Sequence, residues 1–212
     1  MSQRQKTPLV KICGQTSAAS AEASLAMGAS FLGFIFHRSS PRSITPERAA
    51  GISTHSARRV GVFVRQGAAE IRDTMQRAGL HYAQLHGRQS IADAQSIGAE
   101  RVIRVLWPQS CAGPAELQSQ LDAWAPHCAY FLLDAGKNPG DGGTGQALEV
   151  AQLARLRMPR PWFLAGGLTA QNLPLLLTHC TPDGIDLNSG VELAPGLKHP
   201  PLILAALRTL LR

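Results

Sequence analysis

The sequence predicts a single α/β domain in which eight strand–helix units form a (β/α)8 TIM barrel, and three observations support this prediction. Eight short apolar runs follow one another along the 212 residues, and their first residues lie about 19 to 32 positions apart. That spacing leaves room for one helix and two loops in each interval. No change of composition marks a linker, so the eight units belong to one domain.

The apolar runs are the predicted strands. They cover residues 9–13, 31–36, 59–64, 82–86, 101–106, 130–134, 162–165 and 184–188. Short apolar strands joined by helices imply a parallel sheet, and eight of them suggest that the sheet closes into a barrel. The alternative is a doubly wound open sheet. Against it, the first run is followed by Gly14-Gln15-Thr16-Ser17, which is not the glycine fingerprint of dinucleotide-binding sheets.

Helical patterns fill the intervals between the strands. The first segment is rich in alanine and is followed by Gly28 as a C-cap, and Thr45-Pro46 has the N-cap and first residue of a second, short helix. The other predicted boundaries come from apolar residues at helical spacing. The predicted helices cover residues 17–27, 68–78, 90–97, 115–124 and 201–211, beside the short one that begins at Pro46. Residues 1–8 are expected to be a polar extension of the single domain, 1–212.

Polar side chains interrupt several of the apolar runs, and those singled out here cluster towards the carboxyl ends. Strand residues two apart share a face, and alternate residues of a barrel strand point into the lumen. Active sites of such barrels lie at the carboxyl ends of the strands. We therefore expect a common site at this end, which the following side chains line: Lys11, Cys13, Gln84, His86, Asp134, Asp186 and Asn188.

Cys13 is the most informative of these residues, because a thiol stands where the first strand ends. Lys11 lies on the same face of the strand, and a nearby cation lowers a thiol pKa from about 8.5. The sequence therefore predicts a thiolate that acts as a base at neutral pH. Structural interpretations compete: a cysteine is often a small core residue, Asp134 can cap a loop, and His86 can satisfy a buried hydrogen bond. Burying several ionisable groups without a function is costly, which favours the active site.

Small residues follow the last two predicted strands. Gly166 and Gly167 come after the seventh strand, and Ser189 and Gly190 after the eighth. Glycine lets backbone N–H groups approach an anion closely, and the loops after strands seven and eight are the usual phosphate site of this fold. The alternative is a pair of plain tight turns.

Two further loops carry candidate groups. Arg42 follows the second strand, and an arginine can hold a carboxylate through two parallel hydrogen bonds, although it can equally be a solvated surface residue. Gly143 belongs to the glycine-rich segment 140–145 after the sixth strand. Such a segment is expected to be a mobile lid or a flexible connection.

The composition excludes several classes of function. The formal net charge of +7 permits binding of nucleic acid or of a small anion, but lysine and arginine are scattered, with no basic stripe and only 5% aromatic residues. We therefore expect a small anionic substrate and no nucleic acid. No long apolar run predicts a membrane span, and residues 1–8 lack an apolar secretion signal. The four cysteines form no C-x-x-C pair, which predicts a reduced, cytoplasmic protein without structural zinc.

Nine short motifs, taken together and in order, closely resemble those of the phosphoribosylanthranilate isomerase family of tryptophan biosynthesis, over nearly the whole chain. They are K-I-C-G (11–14), G-F-I-F (33–36), S-P-R (40–42), V-G-V-F-V (60–64), Q-L-H-G (84–87), L-L-D (132–134), G-G-T-G (142–145), A-G-G-L (165–168) and S-G-V-E (189–192). The chain departs from the family pattern at segment 146–149, which often resembles Phe-Asp-Trp, at His199, where Asp is familiar, and at Asn188, where Ser is commoner.

The resemblance implies a (β/α)8 barrel and an Amadori rearrangement, an aldose–ketose isomerisation of N-(5-phosphoribosyl)anthranilate to 1-(2-carboxyphenylamino)-1-deoxyribulose 5-phosphate. It implies no metal and no organic cofactor. It assigns Cys13 as general base, Asp134 as general acid and Arg42 as the holder of the anthranilate carboxylate. The remaining residues expected to bind the phosphorylated substrate are Lys11, Gln84, His86, Gly143, Gly166, Gly167, Asp186, Ser189 and Gly190.

Other activities remain open at this stage. Another phosphosugar isomerase, epimerase or synthase would use the same barrel, and a non-catalytic anion-binding protein would use the same loops. Arg42 distinguishes the first alternative from an anthranilate isomerase, because a substrate without an aromatic carboxylate has less need of this arginine. The chain is expected to act as a monomer or a homodimer, without a membrane.

Overall fold

The protein is a closed eight-stranded parallel barrel, as seen in a computed structural model that describes residues 8–135, 153 and 155–211. Neighbouring strands pair in chain order, and β1 also pairs with β8, which excludes the open sheet. The strands are β1 (Leu9–Ile12), β2 (Phe31–Ile35), β3 (Arg58–Phe63), β4 (Tyr82–Leu85), β5 (Val102–Leu106), β6 (Tyr130–Asp134), β7 (Trp162–Ala165) and β8 (Gly184–Leu187). The predicted fold class is confirmed.

The helices lie outside the barrel, and all those described except Leu173–Leu177 overlap a predicted helix. Their bounds are Ala18–Ala26, Pro46–Ala50, Ala68–Arg77, Ile91–Ile97, Pro114–Trp124, Leu173–Leu177 and Pro200–Arg208. Thr45 caps the second helix by accepting a hydrogen bond from the Arg48 N–H, with Pro46 as the first helical residue, as predicted. Met27, not Gly28, is the first C-cap, and Gly28 follows it with φ +93°. Within the described ranges, no helix is long and apolar enough to cross a membrane.

Successive strand residues point alternately towards the helices and into the lumen, so the buried side chains form two separate cores. Outward-facing residues such as Ile12, Leu133 and Ile185 are buried under the helices. Inside the lumen, an aromatic cluster fills the end where the strands begin; its rings belong to Phe31, Tyr82, Tyr130 and Phe163, with centroids 5.3 to 6.0 Å apart. Because this end is packed with rings, the open end of the lumen is the one where the strands finish.

A short hairpin follows β8 and lies near this open end. Its antiparallel strands are β9 (Glu192–Ala194) and β10 (Leu197–Lys198). Gly196 turns the chain between them with φ +84°. The sequence pattern did not predict this hairpin, which brings Glu192 and Lys198 back towards the end of β8.

Candidate active site

A cavity of about 330 Å³ opens at the carboxyl ends of the strands. Most of the predicted site residues line it together, namely Cys13, Arg42, Gln84, His86, Asp134, Gly166, Gly167, Asp186 and Ser189. Lys11 and Gly190 are close to this cavity but not on its lining, and Gly143 and segment 140–145 fall outside the described residues. Among the described residues, the structure therefore brings most of these side chains to one cavity at this end of the barrel, whereas Lys11 lies outside its lining.

Cys13 immediately follows β1 and points into the lumen at the base of the cavity. Cys13 is 4% exposed to solvent, and its backbone N–H donates to the Leu187 carbonyl on the neighbouring strand β8. Gly33 on β2 leaves space for the thiol, because a Cβ placed there would lie 2.7 Å from Cys13 Sγ. Because Gly33 has no side chain, the Cys13 thiol can occupy this position next to β2.

Lys11 lies one layer below Cys13 and is completely buried. Its Nζ donates to Asp186 Oδ2 over 2.8 Å, which joins β1 to β8. Burial alone would lower the pKa of Lys11, but attraction to Asp186 and to Cys13 raises it instead. Lys11 therefore acts on the cavity through these two neighbours. Asp186 Oδ1 has no hydrogen-bond partner among the described residues.

The expected thiolate at Cys13 is wrong for the protein without substrate. Burial raises the pKa of Cys13, and this outweighs Lys11 and Lys198, whose positive charges lower it; the charge of Asp186 raises it further. Sequence reasoning identified the cation beside the thiol but not the extent of its desolvation. At neutral pH the unliganded site holds a thiol.

His86 and Gln84 form the β4 side of the cavity. Burial lowers the pKa of His86, and the nearby Asp134 opposes this only in part, so the imidazole is neutral at pH 7. Gln84 Nε2 lies 3.3 Å from His86 Nδ1 and donates to it. His86 Nδ1 is therefore the acceptor, and the ring hydrogen of the neutral imidazole is on His86 Nε2. Trp107 packs edge-on against His86, with centroids 5.2 Å apart. Sequence reasoning missed Trp107, although an aromatic residue directly after a predicted strand was the available signal.

Arg42 reaches the cavity but is already held by a carboxylate. Glu192 Oε2 accepts from Arg42 Nη2 over 2.6 Å, and Nε lies 3.0 and 3.1 Å from the two carboxylate oxygens. Lys198 Nζ donates to Glu192 Oε1 over 2.7 Å and to Asn188 Oδ1 over 2.9 Å. Burial alone would raise the pKa of Glu192, but these hydrogen bonds, the charge of Lys198 and the Gly196 N–H lower it. Glu192 and Lys198 were not predicted as site residues, although Glu192 ends the quoted S-G-V-E motif.

The loops after β7 and β8 meet beside the cavity. Gly166 and Gly167 have φ values of +105° and +63°, a region that favours glycine. A Cβ on Gly190 would collide with the Leu168 carbonyl, so Gly190 lets the two loops pack against each other. Small residues at both loops allow backbone amide groups to approach an anion closely at this edge of the cavity.

Comparison with known proteins identifies the family. The model of the family described as N-(5′-phosphoribosyl)anthranilate isomerase matches residues 10–208. The chain belongs to this family. The N-(5′-phosphoribosyl)anthranilate isomerase of Desulfovibrio desulfuricans is 50% identical over 199 residues, which cover 94% of this chain and 93% of that protein. The protein of the same name from Maridesulfovibrio salexigens is 46% identical, over 93% of this chain and 96% of that one.

Solved phosphoribosylanthranilate isomerase structures share the fold. The enzyme from Thermotoga maritima superposes with a TM-score of 0.84 and 30% identity, over 96% of this chain and 98% of that chain. A complex of such an isomerase with reduced 1-(o-carboxyphenylamino)-1-deoxyribulose 5-phosphate has a TM-score of 0.77 and 30% identity, with coverage of 96% and 98%. The predicted family, its isomerase activity in tryptophan biosynthesis and its barrel are confirmed.

Proposed function

We propose that Cys13 and Asp134 are the base and the acid with which this chain isomerises N-(5′-phosphoribosyl)anthranilate. One observation carries the assignment: the thiol at the end of β1 and the carboxyl group at the end of β6 line the same cavity, beside Arg42 and the glycine loops. An Amadori rearrangement needs one group that gives a proton to oxygen and one that takes a proton from carbon. The two strands lie on different sides of the barrel, so the two groups can act on different sides of a substrate.

Asp134 acts first in this proposal. It gives its proton to the ring oxygen of the ribose, the bond from that oxygen to C1 breaks, and a protonated Schiff base forms between C1 and the anthranilate nitrogen. The role requires a carboxyl group that still holds a proton near neutral pH.

Cys13 then removes the proton from C2 of the sugar. The electron pair of that C–H bond forms the C1–C2 double bond and neutralises the nitrogen, which gives an enolamine that tautomerises to the ketone. The positive charge of the Schiff base arises inside the cavity, and a nearby cation favours the thiolate. Because burial raises the pKa of Cys13 in the unliganded protein, the thiol must first release its proton to water, a loss that this positive charge favours.

The rest of the cavity holds the ends of the substrate. The loops with Gly166, Gly167 and Ser189 offer backbone amides to the phosphate, and Arg42 binds the anthranilate carboxylate. Gln84 Oε1 and Asp186 Oδ1 have no partners among the described residues and accept hydrogen bonds from sugar hydroxyl groups.

Single substitutions at the two reacting groups test the assignment. Cys13→Ser and Asp134→Asn should each lower kcat by about a hundredfold or more, the usual worth of a positioned acid or base. The decay of substrate fluorescence on adding purified protein measures the rate. Cys111→Ser, at a thiol outside the cavity, and Asp122→Asn, at an exposed carboxylate, are the matched controls. Near-normal turnover in either active-site variant would refute its role.

The oligomeric state and the cellular location of the protein are also inferred. We infer that it works as a monomer or a homodimer, since a relative from Thermotoga maritima is described as dimeric, and light scattering of the purified chain would distinguish the two. We also infer a cytoplasmic location, because all four cysteines are free thiols, which suits a reducing compartment. A fluorescent fusion imaged in the cell tests that location.

A further inference from the structure

We propose that Glu192 is a positioning residue that holds one edge of the Arg42 guanidinium group so that its other edge faces the carboxylate of the substrate. The inference rests on the proposed role of Arg42 as the carboxylate ligand. Glu192 itself does not line the cavity, and it acts only through its contacts.

The geometry of the Arg42–Glu192 pair distinguishes the two edges. The carboxylate of Glu192 contacts Nε and Nη2, which form the side edge of the planar guanidinium group. Among the described residues, none accepts a hydrogen bond from Nη1. Two hydrogens on Nη1 and one on Nη2 therefore remain, and one hydrogen from each nitrogen forms the end edge, a second fork that matches a carboxylate. The pair thus leaves Arg42 oriented with a complete bidentate donor set still available.

Lys198 fixes Glu192 in turn. An ammonium group has three hydrogens, and Lys198 Nζ meets three acceptors: Glu192 Oε1 at 2.7 Å, Asn188 Oδ1 at 2.9 Å and Asn188 O at 3.3 Å. Its side chain is completely buried. Because every hydrogen is used, Lys198 serves as an internal anchor and not as a direct ligand of the substrate.

The charges of the cluster favour an incoming anion. Arg42 and Lys198 carry two positive charges and Glu192 one negative charge, so one positive charge is left over at the cavity. The side chains of Glu192 and Lys198 are 3% and 0% exposed, so water screens this charge weakly. A carboxylate bound to Arg42 completes a balanced group of four charges.

The packing around Gly14 keeps the cluster in one arrangement. A Cβ at Gly14 would lie 2.8 Å from Asn188 Oδ1 and 2.9 Å from Arg42 Cδ. The side chains of Arg42 and Asn188 therefore rest directly against backbone. A flexible arginine is held in its binding geometry before the substrate arrives, which reduces the entropic cost of binding.

Two ligands that differ only in the carboxylate test the inference by isothermal titration calorimetry. The first is reduced 1-(o-carboxyphenylamino)-1-deoxyribulose 5-phosphate, and the second is the same molecule with a plain phenyl ring. Glu192→Gln should weaken binding of the first about tenfold, as expected for a lost charge-assisted hydrogen bond, and leave binding of the second within about twofold. Glu70→Gln, the same change on an exposed helix surface, should affect neither ligand.

Unchanged binding of the first ligand to the Glu192→Gln variant overturns the inference. An equal loss for both ligands also overturns it, because it shows a general structural role. If the Gln variant does not fold, Glu192→Asp gives the decision by the same two criteria, since it keeps the charge and shortens the reach.

Arg42→Met separates this inference from the proposed function. It should remove the preference for the ligand with a carboxylate altogether. If the preference survives in Arg42→Met, the assignment of Arg42 is wrong and the inference falls with it. If Arg42→Met loses the preference but the Glu192 variants keep it, Arg42 retains its role and only the positioning by Glu192 is refuted.

Discussion

At the scale of single residues, Cys13 shows how burial competes with neighbouring charge. Lys11 and Lys198 favour its thiolate, but desolvation raises its pKa above the ordinary value near 9. The thiol form is therefore stabilised at pH 7, and the thiolate appears only as the pH rises through a higher value. We expect the 240 nm absorbance difference between the protein and its Cys13→Ser variant to titrate with a midpoint above 9.

The variant Lys198→Met provides an internal check on this titration. It removes a cation that lowers the pKa of Cys13, so the midpoint should move further up, whereas Lys198→Arg should leave it nearly unchanged. The value of kcat/KM should increase with pH over the same range, because it reports the base of the free enzyme. A midpoint at or below 9 in the unaltered protein would contradict the explanation.

Most of the side chains that line the cavity could be placed there from the sequence, but their pairings could not. Cys13 and Asp134 were visible because polar groups end apolar strands, and same-face spacing put each in the lumen. The bond from Lys11 to Asp186 joins residues 175 positions apart and exists only because the barrel closes. The bond from Arg42 to Glu192 similarly spans 150 positions. Local pattern carries no information about such distant contacts.

At the scale of elements, the strands were predictable to within one or two residues, because short apolar runs between helices have few alternatives. The hairpin of β9 and β10 was missed because its strands have only three and two residues and show no alternation. The dipeptide Pro195-Gly196 was the available signal, since proline followed by glycine is typical of a tight turn.

Arg59 on β3 gives a prediction about how elements are joined. Its buried guanidinium group donates to the carbonyls of Ala49, Ile52 and Ala78, near the ends of two helices. The Ala49 carbonyl also accepts from the Ile52 N–H, so the arginine reinforces that helix end and supplies a donor to the carbonyls of Ile52 and Ala78. Arg59→Met should lower the free energy of unfolding by about 2–3 kcal/mol, since it removes buried hydrogen bonds to a charged group.

Urea denaturation measures this loss, and Arg58→Met is the matched control because Arg58 is exposed on the same strand. We expect kcat of the Arg59 variant to stay close to normal, because these contacts lie at the end of β3 away from the cavity. Equal stability of the two variants would show that water replaces the arginine at the helix ends.

At the scale of the whole molecule, the barrel separates stability from catalysis along its axis. The aromatic cluster packs the end where strands begin, and the cavity occupies the end where they finish. The sequence predicted at which end the cavity lies, from the count of eight strand–helix units and from the position of polar residues in the apolar runs. The ring contacts themselves could not be predicted, because they depend on the register between strands that are distant in sequence.

This separation of stability from catalysis can be tested at two glycines that face the lumen, one towards each end of the barrel. A Cβ at Gly184 would lie 2.5 Å from Phe163 Cε1 and 2.9 Å from the Leu9 carbonyl, so Gly184→Ala should destabilise the fold by about 1–3 kcal/mol through overpacking. A Cβ at Gly33 would lie 2.7 Å from Cys13 Sγ and 3.0 Å from Cys13 Cα, so Gly33→Ala must displace the thiol. Because a shift near 1 Å in a reacting group costs about a hundredfold in rate, kcat should fall by that order in Gly33→Ala and stay near normal in Gly184→Ala. Thermal unfolding and single-turnover rates of both variants provide the comparison, and a similar loss of kcat in both would show that the two ends of the lumen are mechanically coupled.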